Sequence, residues 1–149
     1  MTPNILLSQS ERQLEDRFGD WFIAHLPGED VQTLRQFYEE MADVLEFPDG
    51  FGVNLDALND ALNDLQWLED DRIVLYFTRT DLLISKERDP AKLASVLNVL
   101  DATAEDWKWT DDSDLADRKE LVVVFEDSPR IRQLLEKEHI DFQSMADLA

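Results

Sequence analysis

Three short apolar runs constrain the fold of this chain more than any other feature: residues 21–26 (Trp-Phe-Ile-Ala-His-Leu), 72–77 (Arg-Ile-Val-Leu-Tyr-Phe) and 121–125 (Leu-Val-Val-Val-Phe). Each is rich in β-branched or aromatic residues and nearly continuous in apolar side chains. That is the pattern of strands buried on both faces rather than of half-solvated antiparallel ones. Pro27-Gly28 closes the first run, and segments with helical spacing separate the three. Parallel strands need such crossovers, so the expectation is an α/β fold: a small three-stranded parallel sheet covered by helices with right-handed connections.

The helical segments carry their own boundaries. Residues 33–45 place Leu34, Phe37, Tyr38, Met41, Val44 and Leu45 at helical intervals. Thr33 with Gln36 forms a capping box, and Phe47-Pro48 ends the helix. Residues 80–85 are expected as a short helix. Asp89-Pro90 opens a longer one with Leu93, Val96, Leu97 and Leu100 on one stripe, and residues 129–137 form the last. Residues 105–119 have no clear period and read as a polar, acidic loop. Trp107 and Trp109 either pin that loop to the body or belong to a contact surface, and the burial habit of large aromatics favours the first. Residues 1–19 read as an accessory segment with a weak helix, Ser8 and Glu11 being spaced as a capping box. His25 is expected to be a hydrogen-bonded structural residue, and the tail beyond the last helix to be partly ordered. A chain of 149 residues, 44% hydrophobic, is sized for one packed domain, 1–149.

Within this frame the stretch 49–65, Asp-Gly-Phe-Gly-Val-Asn-Leu-Asp-Ala-Leu-Asn-Asp-Ala-Leu-Asn-Asp-Leu, reads as a loop feeding a helix. Gly50 and Gly52 free the backbone for positive φ or close approach, and Asn54 can cap a helix starting at Leu55. Leu55, Leu58, Leu62 and Leu65 gather on one face with Ala61 beside them, while Asp56, Asp60 and Asp64 stack at i, i+4 and i+8 on another. Like charges at that spacing cost a helix about 0.2–0.5 kcal/mol per pair, and only Asp56 sits where the helix dipole offsets the cost. Stability does not select this stripe. From Gln36 to Asp71 there are 11 Asp and Glu and no Lys, Arg or His, within a net charge of -20.

That imbalance, 34 acidic against 14 basic residues, repels nucleic acid and anionic lipid and attracts a basic protein. No apolar run is long enough for a membrane span and no secretory leader opens the chain, so the expected location is cytoplasmic. The absence of cysteine removes disulfides and thiolate metal sites, and His25 and His139 show no metal spacing. Carboxylates along one straight helix rarely converge on a cation without ligands from a second segment, so no metal and no cofactor is expected. No glycine-rich phosphate loop, Ser-His-Asp set or metalloprotease helix is present.

The stretch Gly-Phe-Gly-Val-Asn-Leu-Asp-Ala-Leu-Asn-Asp-Ala-Leu resembles the signature loop and second helix of the barstar family, intracellular inhibitors of an extracellular bacterial ribonuclease. The order of elements agrees over about residues 21–127. The resemblance implies a barstar-like three-stranded fold with N-terminal (1–20) and C-terminal (128–149) additions. It also implies a function without catalysis, in which the loop and second helix plug a ribonuclease active site. Carried over residue by residue, Asp60 takes the place of a substrate phosphate, Asp56 is a second charged contact, Gly52 a close backbone approach, and Asn54 and Leu55 rim neighbours. Gly50 stands where the family has an aromatic, leaving Phe51 alone of a tyrosine pair, and Asn59 stands where it has tryptophan. Asp64 extends the stripe at the periphery. The implied partner is a basic ribonuclease or nuclease toxin, with no nucleic acid or membrane contact and a monomeric free state. The alternative is an acidic interaction module of the same fold whose basic partner is not a nuclease.

Overall fold

A computed structural model of the chain describes residues 3–47, 54–65, 67–89, 91–108 and 119–147. Its centre is a five-stranded, all-parallel sheet: β1 (Ile5–Ser8), β2 (Phe22–Pro27), β3 (Arg72–Thr78), β4 (Glu120–Glu126) and β5 (Phe142–Ser144), in the order β2-β3-β4-β1-β5. The expected three-stranded, barstar-like sheet is therefore corrected to five. The three anticipated runs form β2, β3 and β4. The two additional strands come from the ends of the chain.

β1 escapes a sequence reading because it has four residues and no exposed face to create a period. All four are buried, Ile5 and Leu7 on one side of the sheet and Leu6 on the other. Its register sets Ile5 between Val123 of β4 and Phe142 of β5, both distant in sequence, and bonds from Val123 N–H to Asn4 C=O and from Asp127 N–H to Ser8 C=O extend the pairing. The segment expected as accessory is thus interior to the sheet. The expectation that the run 21–26 is buried on both faces also shifts: β2 is an edge strand in which Ala24 and Leu26 are buried while His25 is exposed. His25 Nε2 hydrogen-bonds Thr78 Oγ1 at 2.9 Å and the ring stacks on Tyr76.

The described residues form five α-helices: α1 (Glu11–Phe18), α2 (Leu34–Val44), α3 (Leu55–Leu62), α4 (Ala91–Lys108) and α5 (Pro129–Lys137). Alternation along each strand feeds two cores. Ile73, Leu75, Phe77, Leu121, Val123 and Phe125 face a large cluster with buried side chains of α2, α3, α4 and α5. Val74, Tyr76 and Val124 face a smaller one, closed by Leu14 and Phe18 of α1 and by Met145. Four helices therefore lie on one side and one short helix on the other.

Caps explain most helix starts. Thr33 and Gln36 form the expected capping box of α2, and Ser128 Oγ accepts from Ile131 N–H ahead of Pro129 in α5. α1 is capped by Ser10, accepting from Gln13 N–H, not by the Ser8 expected from spacing, because Ser8 is held in β1. Residues 80–85 form turns rather than a helix, with Arg79 and Ile84 at positive φ interrupting any helical path. α4 runs on to Lys108, so the expected polar loop begins later; Thr103, Ala104 and Trp107 continue its buried stripe. No described helix is long and apolar enough to cross a membrane.

Candidate functional site

The acidic face stands on α3, and the sequence specifies that helix closely. Asn54 is its N-cap, with Oδ1 accepting from Ala57 N–H at 2.8 Å, and Leu55 is its first residue. Leu58 and Leu62 are fully buried and Leu55 is half-buried against the same core. A helix pinned by one leucine stripe must turn its opposite side outward. Asp56, Asn59, Asp60 and Asn63 are exposed on that side, at intervals of three and four residues. Asn63 Nδ2 donates to Asn59 C=O at 2.8 Å and to Asn59 Oδ1 at 3.2 Å, tying the polar face together near its end.

α3 is shorter than the spacing predicts. It stops at Leu62, and the chain turns through Leu65 at φ 52, where Leu65 N–H bonds Ala61 C=O at 3.1 Å. A left-handed residue at this point favours glycine, and a leucine pays about 1–2 kcal/mol for the conformation. Complete burial of the Leu65 side chain offsets that cost. Asp64 consequently lies in the turn beyond the helix, so Asp56 and Asp60 are the pair that share the helical face.

Two tryptophans hold the surroundings of this face. Trp107 Nε1, from the last turn of α4, donates to Leu62 C=O at 2.9 Å and satisfies an end carbonyl of α3. Trp67 Nε1 donates to Leu45 C=O at 2.8 Å, and its ring meets Phe47 edge to face with centroids 5.6 Å apart. α2 ends in a Schellman turn: Glu46, at φ 54, donates to Asp43 C=O, and Phe47 N–H bonds Ala42 C=O at 2.8 Å. The chain is therefore fixed at Phe47 on one side of the loop and at Asn54 on the other. Gly50, Phe51 and Gly52 lie outside the described residues, as does Trp109.

The electrostatics are one-sided. Among the described residues Asp56, Asp60 and Asp64 take part in none of the ion pairs, which join Arg35 to Glu39, Arg72 to Asp20, Arg79 to Asp81, Lys119 to Asp71 and Arg132 to Asp127. Partial burial, and then the charges of Asp43 and Asp30, push the Glu40 carboxyl above its ordinary value. Sequence reasoning missed Lys119. Its buried ammonium reaches Leu68 C=O and Asp70 C=O, each at 2.8 Å, and lies 3.7 Å from Asp71. It compensates one end of the acidic segment and leaves the α3 face untouched. Neither Trp107 nor Lys119 carries a local sequence signal for this role, since both act through backbone carbonyls of distant elements.

A groove of about 740 Å³ runs beside the N-terminus of α3, between Asn54, Leu55, Tyr38 and Val96, with Arg35 and Lys92 at its edge. These cations bound the acidic face on the side of α2 and α4. Among the described residues no group of three or more His, Asp or Glu side chains is gathered as a metal site. The described residues of the face present carboxylates and amides on a rigid support, with a cavity beside it.

Comparison with known proteins places this geometry. A search of curated proteins finds no match. Among solved structures the chain is similar to the Aeropyrum pernix ORC2 protein, determined as ADPNP-ADP complexes, with a TM-score of 0.56 and 14% sequence identity over 96% of this chain and 41% of that one. The chain thus spans about two-fifths of that protein's length, and the likeness concerns the parallel α/β fold alone. The family model described as Barstar (barnase inhibitor) matches residues 21–116, which take in β2, α2, α3, β3 and α4. That match covers well over half of the chain and contains the whole acidic face, so the chain belongs to the barstar (barnase inhibitor) family.

Proposed function

We propose that this protein is an inhibitor, of the antitoxin or immunity type, that binds a basic ribonuclease in the cytoplasm and fills its active site with α3 and the loop before it. The observation that supports this reading most is the exposed Asp56 and Asp60 pair. Both carboxylates are free of ion pairs among the described residues, on a helix whose other side is locked by Leu58, Leu62 and the Trp107 bond. A fold gains nothing from keeping such a pair unneutralised, whereas a partner whose active site binds RNA phosphates does. Asp60 stands for a phosphate among the partner's cations and Asp56 makes the second charged contact. Asn54, Leu55 and Asn59, with Gly50, Phe51 and Gly52 of the loop, form the rest of the footprint, and Asp64 lies at its margin. The inhibitor performs no chemistry of its own; it excludes substrate.

Gly50 and Asn59 replace aromatic contacts of the family pattern, and interfaces concentrate binding energy in such aromatics. The cognate enzyme is therefore expected to differ from the family's usual one. The test is inhibition of RNA cleavage by candidate basic ribonucleases at equimolar inhibitor. Full inhibition of one candidate with no effect on unrelated ribonucleases is the expected result. Tight binding to a basic protein that cleaves no RNA would move the function to the acidic interaction module. No binding to any basic candidate would remove both readings.

A further inference from the structure

The turn at residues 84–89 and one face of α5 border a second cavity, of about 300 Å³, that shares no lining residue with the acidic face. That volume is at the small end of ligand pockets. Ile84, Leu93 and Leu134 supply apolar walls, and Arg88, Arg130 and Lys137 line it with positive charge. Arg130, Leu134 and Lys137 fall at i, i+4 and i+7 of α5, so one helix face carries two of the three cations and a wall.

The charges in this cavity are unequally satisfied. Each of the two acids in its lining is tied to the backbone: Glu87 accepts from Leu34 N–H at 2.8 Å, and Asp89 accepts from Ala91 N–H at 3.0 Å. Neither Arg88 nor Lys137 has an ion-pair partner among the described residues, although acidic side chains outnumber basic ones 34 to 14 in this chain. Arg130 is held in place by Nη1, which donates to Thr80 C=O at 2.9 Å and Leu83 C=O at 2.6 Å. Its Nε and Nη2 are left without partners among the described residues. Partial burial, opposed by the charge of Asp81, lowers the affinity of this guanidinium for its proton.

We propose that this cavity binds a small phosphomonoester with an apolar body, the phosphate held by Arg88, Arg130 and Lys137 and the body seated on Ile84, Leu93 and Leu134. Three cations against two backbone-tied carboxylates leave the lining net positive in a strongly acidic chain, and a fixed guanidinium fork suits phosphate oxygens. The site is separate from the α3 face and does not depend on the inhibitor reading.

Phenyl phosphate is the probe, titrated calorimetrically into the full chain with ionic strength held constant by sodium chloride. The expected result is saturable one-to-one binding, weakened roughly tenfold by Arg88→Gln and by Lys137→Gln, a loss comparable to one charge-assisted hydrogen bond. Neither side chain holds a backbone group, so both variants should melt as the parent does. Arg130→Lys keeps the charge and loses the fork, and should weaken binding as well. Inorganic phosphate should bind more weakly than phenyl phosphate, and benzoate more weakly still. Absence of saturable heat at millimolar phenyl phosphate, equal binding by the Gln variants, or equal binding of benzoate would each overturn the proposal. Ribonuclease inhibition should be the same for parent and Gln variants, so this outcome and that of the α3 reading are scored separately.

Discussion

Asp60 and Asp64 are both exposed aspartates one turn apart, yet the fold gives them different settings. Asp60 shares the helical face with Asp56, whereas Asp64 lies past the end of α3. Asp60→Asn removes one unfavourable i, i+4 pair and should leave the melting temperature unchanged or raise stability by a few tenths of a kcal/mol. In a desolvated basic active site the same change leaves partner cations unpaired and should cost about 2–5 kcal/mol of binding. Asp64→Asn should slow association and barely alter dissociation. Equal, small losses for the two variants would reduce the stripe to a diffuse field. A second residue-scale expectation concerns pH. The Asp127 carboxyl is held below its ordinary value chiefly by its hydrogen bonds to Arg132, the shorter of 2.8 Å, with burial opposing and Gln9 assisting. A lowered folded value means stability that is complete above the unfolded value of about 3.9 and is lost as pH falls through the folded one. Asp127→Asn should therefore cost about 1 kcal/mol near neutrality, and the gap between variant and parent should close in acid. Denaturant titrations across that window check it; a gap independent of pH would assign the loss to packing.

At the scale of elements, α3 is a two-turn helix, too short to persist alone, so its order comes from what it touches. The Asn54 cap, the two buried leucines and the Trp107 bond are the three supports. Trp107→Phe keeps most of the buried area and deletes the donor to Leu62 C=O. The expected outcome is a loss of about 1 kcal/mol in stability with α3 amides exchanging faster with solvent, measured by hydrogen exchange. Unchanged protection of α3 would show that the leucines suffice. The same reasoning explains what a sequence reading of these elements caught. Asn54 and Thr33 act on amides three residues away, so their caps are local and visible in sequence. The true end of α3 was not visible, because Leu65 accepts a left-handed conformation only through burial supplied by distant segments. Ile84, left-handed and buried, broke the expected helix at 80–85 in the same manner, with the exposed Arg79 at φ 46 just before it.

For the molecule as a whole, the family match and the sheet do not coincide. The matched segment 21–116 ends before β4 and begins after β1, yet the sheet order sets β4, β1 and β5 side by side. A chain lacking residues 1–20 would leave β4 and β5 on either side of an empty strand position, with the buried faces of Ile5, Leu6 and Leu7 gone. Such a truncation should lose several kcal/mol and unfold without a cooperative transition, followed by circular dichroism on heating. A cooperative melt near that of the full chain would return the segment to the accessory role its sequence suggested. The sequence by itself determined the parallel α/β class, the positions of β2, β3 and β4, the cap and leucine face of α3, and the concentration of carboxylates opposite that face. Those features arise from neighbours in sequence: periodicity, side-chain shape, local hydrogen bonds and formal charge. Only the tertiary structure decided that the sheet has five strands and that β2 is an edge. It likewise decided that Lys119 neutralises the Leu68–Asp71 end of the acidic segment while Asp56 and Asp60 have no ion pair among the described residues. Each of these depends on which groups separated along the chain come into contact, and a four-residue strand or a buried lysine becomes recognisable only beside the partners that satisfy it.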